Sequence, residues 1–449
     1  MSDIQAIRKE AAHDPRKLLE LALKQAETNP EEMRRDIRLL DPTCVDTIKA
    51  ITFKLGPHEF KPLVAYPIYA ADYIRGYREP KLVIEYDPLT LIAHVEFTFA
   101  ERVSDEAPDA LELLKNFMPE GTVYNNRDQW TKQCASEKPK VLDLLGSASN
   151  VFSSRSDLKV SLLKFGGDAS AYLHRVFAFS WFYIEGAQPP DETDKTWDVF
   201  VVTDGETSEF RGYSSVYSFL YYSSAAEFES EGATTKLLRK RIGHFLVLPA
   251  FQKSGVGKTL YLSLLKTFVS EPQTKEIEVE EPSAEFDVLR DRSHYEWLTS
   301  DNDTRDLLDD YVDNPEEALA KLMKQYKMEA VQFQRVAEMF YFMQHNQKET
   351  RDLKKMIKSR LYAHNYEDLR TMDNPTQRDQ LQAVYENALH QHKVALHLEE
   401  DDEDEDEDDS GDEGGELDPA EALLGQLLQG GSSSVLDLLQ EPNKRQKTE

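Results

Sequence analysis

Two sets of residues have types and spacing that chemistry can use. The stretch FLVLPAFQKSGVGKTLYLSLL, residues 245–265, reads as a strand, a glycine-bearing loop and a helix. These are the parts of an anion cradle, because the N–H groups at a helix start point outward and favour negative charge. The second set is carboxylates. Glu280 and Glu281 close the strand-like run EIEVEEP (276–282), and Glu185 closes the apolar run 170–187. A carboxylate within reach of a nucleophile, directly or through one water, can take its proton. Neighbours on a regular strand face opposite ways, so at most one of Glu280 and Glu281 faces a cleft squarely. The plain alternatives are a tight strand–helix connection for the loop and solvated surface for each glutamate.

Other chemistries are excluded early. Two cysteines, Cys44 and Cys134, cannot build a disulfide scaffold or a cysteine zinc site, and they suit a reducing compartment. The 11 histidines show no metal-ligand spacing. His390 and His392 lie two apart on a helical pattern and so point to different faces. No metal is expected.

The loop reads in two ways. SGVGKT (254–259) ends like the phosphate loop G-x-x-x-x-G-K-[ST], but Gln252 stands where its first glycine belongs. Pro249 interrupts the approach, and no convincing hydrophobic strand ends in a metal-binding aspartate. The other reading, Gln252-x-x-Gly255-x-Gly257, resembles the Q/R-x-x-G-x-G/A loop of the GNAT acetyltransferases, in which backbone amides hold the pyrophosphate of acetyl-coenzyme A.

The elements around these residues divide the 449-residue chain into five stretches. Residues 1–42 read as a helical extension broken at Asp14-Pro15 and Asn29-Pro30. Residues 43–150 are mixed. There KLVIEYDPLTLIAHVEFTFA predicts two strands joined through Asp87-Pro88 in a small antiparallel sheet. Its alternation puts Val95, Phe97 and Phe99 inside and His94, Glu96 and Thr98 outside. Residues 151–300 predict an apolar helix at 170–187 and strands at 198–204, 212–222, 241–249 and 276–282. This is an α/β pattern with a ligand at the strand ends. Residues 301–398 are almost entirely helical in pattern, with Met339 to Met343 reading as buried packing, or else a subunit contact. Residues 399–449 are a tail too acidic to order itself.

Charge narrows the partners. The net charge is −30; residues 399–418 carry 15 acidic and no basic side chains, residues 419–449 carry −1, and 1–398 keep −14. Nucleic-acid binding needs a Lys/Arg face, so it is not expected, whereas a basic protein partner is. No run of about 18 apolar residues predicts a membrane span, and the start MSDIQAIRKE lacks the apolar stretch of a signal peptide, so an intracellular soluble protein is expected.

Four blocks, in order, decide between the loop readings. They are YPIYAADYIRGYREPKLVIEYDPLTL (66–91), WFYIEGAQPPDETDKTW (181–197), RIGHFLVLPAFQKSGVG (241–257) and EIEVEEPSAEFDVLRDR (276–292). Together they resemble the catalytic subunit of type B histone acetyltransferases. The resemblance implies a GNAT core with a small N-terminal mixed domain and fades beyond residue 300 into a helical C-terminal region; residues 1–42 and the acidic tail, disordered by its composition, have no counterpart in it. It implies Glu280 as general base, with Glu185 flanking the substrate lysine. Glu281 stands where the family usually has Asp. For acetyl-coenzyme A it implies backbone pairing by Phe245, Leu246 and Val247, a pyrophosphate loop of Gln252, Lys253, Ser254, Gly255, Val256, Gly257 and Lys258, and a further contact at Ser283. For substrate, the N-terminal tail of free, newly made histone H4, it implies Ala71, Asp72 and Tyr73 with Tyr217, Ser218 and Phe219. Core packing is the alternative for Tyr217 and Phe219, and the 71–73 loop is shorter and less acidic than the family's. A WD-repeat histone-binding subunit and a cytoplasmic and nuclear location are implied as well, with Lys444-Arg445-Gln446-Lys447 resembling a short import signal. A non-catalytic acidic histone chaperone and a nucleotide-binding enzyme stay open as alternatives.

Overall fold

The computed structural model describes residues 43–103, 107–222 and 237–399. The expected N-terminal helical extension, the import-like cluster and nearly all of the acidic tail lie outside the described residues. The described chain forms two units. One comprises residues up to Tyr217 together with His244–Leu264; the other comprises Ser218–Gly243 and residues from Leu265 on.

After an extended pair at Val45–Asp46 and one helical turn at Thr47–Ala50, the first unit has β1 (Ile51–Leu55), β2 (His58–Phe60), β3 (Lys81–Tyr86) and β4 (Ala93–Thr98), then α1 (Ala110–Phe117), β5 (Val123–Tyr124) and α2 (Arg127–Ser147). Its sheet runs β2-β1-β3-β4-β5. The pairing is mixed, not antiparallel as expected: β1 with β3 and β4 with β5 are parallel, while β1 with β2 and β3 with β4 are antiparallel. The 81–100 stretch does form two strands, but its alternation fails at both ends. His94 is buried, with the Trp130 ring of α2 5.7 Å away, and Phe99 is exposed.

A second sheet begins with β6 (Ser149–Asn150) and β7 (Leu158–Leu163). Next come α3 (Asp168–Phe177) and the short α4 (Ser180–Tyr183), then β8 (Trp197–Asp204), β9 (Phe210–Leu220) and β10 (Leu238–Val247). The expected helix 170–187 is thus two pieces, and it ends at Tyr183 because Ile184 turns extended. Aromatic rings on these pieces fill the core between the two sheets. Phe182 meets Phe53 edge-on at 4.8 Å, Phe179 lies 4.6 Å from Tyr86 and 5.7 Å from Phe210, and Phe177 meets Tyr213 at 5.0 Å. Rings that bury this much apolar surface dominate core energetics.

The first half of β10 belongs to the second unit. There it pairs in parallel with β11 (Thr274–Val279), from Leu238↔Thr274 to Ile242↔Val279, after α5 (Val256–Ser270). Helices α6 (Ala284–Thr299), α7 (Asn302–Asp310), α8 (Pro315–Tyr326), α9 (Ala330–Gln344), α10 (Arg351–His364) and α11 (Asn374–Ala395) follow, matching the all-helical pattern of 301–398. Met339, Phe340 and Phe342 are buried as expected. Phe342 joins Leu353, Ile357, Leu361, Val384, Tyr385, Ala388 and Leu389 in one core cluster. An ionic cluster is buried beside it. Both oxygens of Glu338 accept from Arg360 at 2.8 Å, and His392 Nε2 lies 2.8 Å from Oε2. Burial alone would raise the Glu338 pKa, but the Arg360 guanidinium and His392 outweigh it and hold the carboxyl down at about 2.

Candidate active site

The glycine loop lies wholly in the first unit. After β10, Pro249–Phe251 make one tight turn, and Gln252 Nε2 reaches back to donate to Val247 O at 3.0 Å. Phe251 anchors the turn, its ring 4.0 Å from the Arg211 guanidinium and 4.9 Å from the His58 ring. Lys253 (φ 54°) and Gly255 (φ 84°) then take left-handed backbone, which glycine adopts without strain. The helical ladder begins where Thr259 N–H donates to Gly255 O at 3.1 Å, so the amides that a helix start turns outward are those before Thr259. The side chains of Gln252, Lys253 and Ser254 are exposed, Gly257 and Lys258 are half-buried, and Val256 is core.

Sequence reading missed Arg155. Its Nη1 donates to Ser254 O at 2.5 Å, and a Cβ added to Gly255 would stand 3.1 Å from that same nitrogen. Asp157 holds the rest of the guanidinium. The loop thus combines a helix start, exposed backbone and a fixed cation, a donor set that suits a pyrophosphate.

Strand β10 leads into this loop. A Cβ on Gly212 of β9 would stand 2.4 Å from Leu246 O, so only glycine permits this backbone approach beside Phe245–Val247. His244, also missed, sits one residue earlier. Its N–H donates to Ser215 Oγ at 3.1 Å, and the same Oγ lies 2.8 Å from His244 Nδ1. The hydroxyl has one proton and two lone pairs, so it can accept the amide and either donate to Nδ1 or accept from it, according to the ring tautomer. Burial pushes the imidazole down to about 4, so His244 is a neutral buttress at pH 7.

Glu185 also belongs to this unit. It is exposed in a turn just past α4, and the next amide, Gly186 N–H, donates to the Tyr66 hydroxyl at 2.8 Å. The Leu63 and Val64 amides donate to Phe182 O at 2.9 and 3.1 Å. Asp72 is buried, and its Oδ1 accepts the Ala65 amide at 2.5 Å. The 61–73 segment is thereby tied to the turn carrying Glu185. Ala71 (φ 57°) and Asp72 (φ 60°) are consecutive left-handed residues, and Tyr73 pairs with Asp46 as extended backbone. Tyr217 is half-buried, its ring 4.9 Å from Trp197.

The remaining candidates lie in the second unit. Glu280 stands one residue beyond β11, with its amide on Ile242 O at 2.9 Å and its side chain 45% exposed. Arg241, a third residue missed, is bonded through Nε to Glu278, has Nη1 3.9 Å from Glu280 Oε1, and places its guanidinium 4.9 Å from the Phe219 ring. Phe219 and Ser218 are half-buried. Glu281 takes φ 40°, so the strand does not continue and the simple alternation of Glu280 with Glu281 does not apply. Ser283 is the N-cap of α6, its Oγ accepting Phe286 N–H at 3.3 Å.

The family model described as Histone acetyl transferase HAT1 N-terminus matches residues 38–185. A histone acetyltransferase type B catalytic subunit from Kluyveromyces lactis is 30% identical over 343 residues, spanning 74% of this chain and 85% of that protein. The chain belongs to the family of histone acetyltransferase type B catalytic subunits. A second member, from Debaryomyces hansenii, is 30% identical over 338 residues, with 73% of this chain and 81% of that protein covered. An aminoglycoside acetyltransferase structure from an uncultured soil sample overlaps at a TM-score of only 0.22, with 19% identity over 28% of this chain and 79% of that one. That overlap carries no argument. As a family member the chain is an acetyl-CoA-dependent acetyltransferase. This removes the nucleotide-loop reading of SGVGKT and the non-catalytic chaperone reading.

Proposed function

We propose that this enzyme acetylates lysines in the N-terminal tail of free, newly made histone H4, with Glu280 as general base. Acetyl-CoA supplies an activated acetyl group. Backbone of Phe245, Leu246 and Val247 and the loop from Gln252 to Lys258, braced by Arg155, are the groups that would hold it. The lysine ammonium, with an ordinary pKa near 10.4, must lose a proton before its nitrogen can bond the acetyl carbon while the C–S bond breaks. Glu280 takes that proton. Glu185 and the 71–73 loop orient the lysine and its glycine-rich flanks.

The observation that carries this reading is the setting of Glu280: backbone fixed on Ile242, carboxylate exposed, Arg241 alongside. A base must be both held and reachable. The acidic balance of the folded chain would draw a polycationic tail over long range, more weakly as salt rises. We further propose that a WD-repeat histone-binding subunit works alongside this chain, in cytoplasm and nucleus.

The test is acetyl transfer to an H4 tail peptide by wild type and Glu280→Gln, with acetyl-CoA affinity measured on both. The expected result is a loss of turnover of about 10²- to 10⁴-fold with affinity unchanged. Equal turnover in the two proteins would move the base to Glu185 or Glu281. Faster transfer to other histone tails than to H4 would overturn the substrate.

A further inference from the structure

In a chain of net charge −30, the second unit carries a basic strip. Arg351, Lys354, Lys355 and Lys358 line an open groove of about 490 Å³, together with Tyr362 of the same helix and Leu381 of α11. Spacings of three and four put these side chains on one face of α10, opposite the buried Leu353, Ile357 and Leu361. Among the described residues none of the four cations is in an ion pair, although Glu349 and Asp352 are near in sequence and Glu386 lies on α11, where it accepts from Gln382. Lys354 and Lys358 instead lie over the Tyr385 ring, at 5.1 and 5.3 Å, and Lys358 donates to Gln382 Oε1. Four like charges held side by side repel one another, and an anionic segment across them removes that cost.

The chain supplies such a segment next to the groove. Helix α11, which forms one wall, ends at Ala395. His397 then takes φ 59° and Leu398 N–H donates to Lys393 O at 2.8 Å, so the chain reverses at the helix end. Glu399 confirms the reversal: its carboxylate meets Lys393 Nζ at 2.8 Å and His390 Nδ1 at 2.9 Å. From there the sequence continues, over residues 400–418, as EDDEDEDEDDSGDEGGELD. From Ala395 back to Leu381 is about 21 Å along the helix, a distance that about seven extended residues cover. We propose that the groove between α10 and α11 is the docking site of this acidic segment, residues 400–418. Docked, the segment is withheld from other cations; raising the salt releases it. The proposal stands apart from the acetyl-transfer reading and does not depend on which residue is the base.

The test uses the full chain. Carbodiimide, which joins carboxylates to lysines in direct contact, is applied to wild type at low salt, and the joined peptides are identified by mass spectrometry. Bonds from 400–418 are expected to concentrate on Lys354, Lys355 and Lys358, and to vanish in about 0.5 M salt, where the Debye length is well under 10 Å. Replacing the acids of 401–409 by Asn and Gln should abolish them, and this change touches no described residue. Bonds spread over exposed lysines such as Lys132 and Lys321 without preference would overturn the proposal. So would bonds found only between heavy-isotope and ordinary copies in a mixture, which would make the occupant a second chain. Protection of the groove lysines from acylation by an added oligonucleotide, with no tail bonds formed, would assign the groove to phosphates and equally sink it.

Discussion

Arg155 Nη1 donates to the backbone oxygen of Ser254 at 2.5 Å, joining the entrance to β7 with the glycine loop 99 residues later. A cation fixed on a loop that turns its amides outward strengthens the hold on a pyrophosphate in two ways. It adds charge, and it keeps the loop in the binding conformation. Arg155→Ala is expected to weaken acetyl-CoA binding by about three- to tenfold, the modest range of a partly exposed charge-assisted bond. Titration calorimetry with acetyl-CoA checks this. An unchanged Kd would show the contact to be incidental.

Gly212 gives a sharper expectation. With Leu246 O standing 2.4 Å from where a Cβ would sit, Gly212→Ala must push β9 and β10 apart. Overpacking of this kind costs about 1–3 kcal/mol, and here it displaces the strand that leads into the loop. The variant should unfold at lower denaturant and lose acetyl-CoA affinity together. Loss of stability with full affinity would show that the strand edge at 245–247 is not used for binding.

The conformation of the loop was legible in sequence because its requirements are local. Gly255 has to accept φ 84°, and Val256 has to begin a helix within one residue of it. What escaped is non-local. Arg155, Arg241 and His244 have no motif, and each matters through partners brought close only by folding. The parallel pairing of β1 with β3 leaves no local mark either, so a sheet of short alternating strands reads as antiparallel. His94 obeys the alternation rule for an exposed position and is buried nonetheless, because α2 lays Trp130 over that face. Glu185 was expected at a helix end. It lies in the turn beyond, because periodicity of apolar residues does not mark where the backbone leaves the helix.

Acid should weaken the fold in two stages. His244 has its pKa lowered from 6.5 to about 4 by burial, so the unfolded chain binds the proton more readily. Its contribution is therefore present above pH 6.5 and is lost as pH falls towards 4, reaching about 3 kcal/mol. Glu338 follows the same sign from 4.5 towards about 2. Urea midpoints across pH 8 to 4 check the first stage. His244→Asn keeps an acceptor near Ser215 without a titrating ring, so its midpoint should depend less on pH between 6.5 and 4. Equal slopes would remove His244 from the account.

Glu338→Gln tests the buried ionic cluster. The change keeps the size of the side chain but leaves the Arg360 guanidinium without its counter-charge among apolar helices. Breaking one side of such a pair costs about 3–5 kcal/mol. Urea unfolding should show that loss. Replacing Glu338 and Arg360 together by apolar residues of similar volume should recover most of it, since the burden lies in the stranded charge.

The left-handed backbone at Glu281, φ 40°, has a bearing on which sequences this position can explore. Glycine is the residue that would relax there, and strain at a non-glycine residue of this kind costs on the order of 1–3 kcal/mol. Aspartate and asparagine tolerate left-handed backbone better than glutamate does, so a shorter acid would keep the charge at less strain, while glycine would relax fully and lose it. Drift towards greater stability at residue 281 therefore leads either to aspartate, which keeps a carboxylate next to Glu280, or to glycine, which erases it. A lineage that keeps an acid here is retaining charge against a standing conformational pull, and repeated selection for thermal stability alone, with no demand for turnover, should lose Glu281 early.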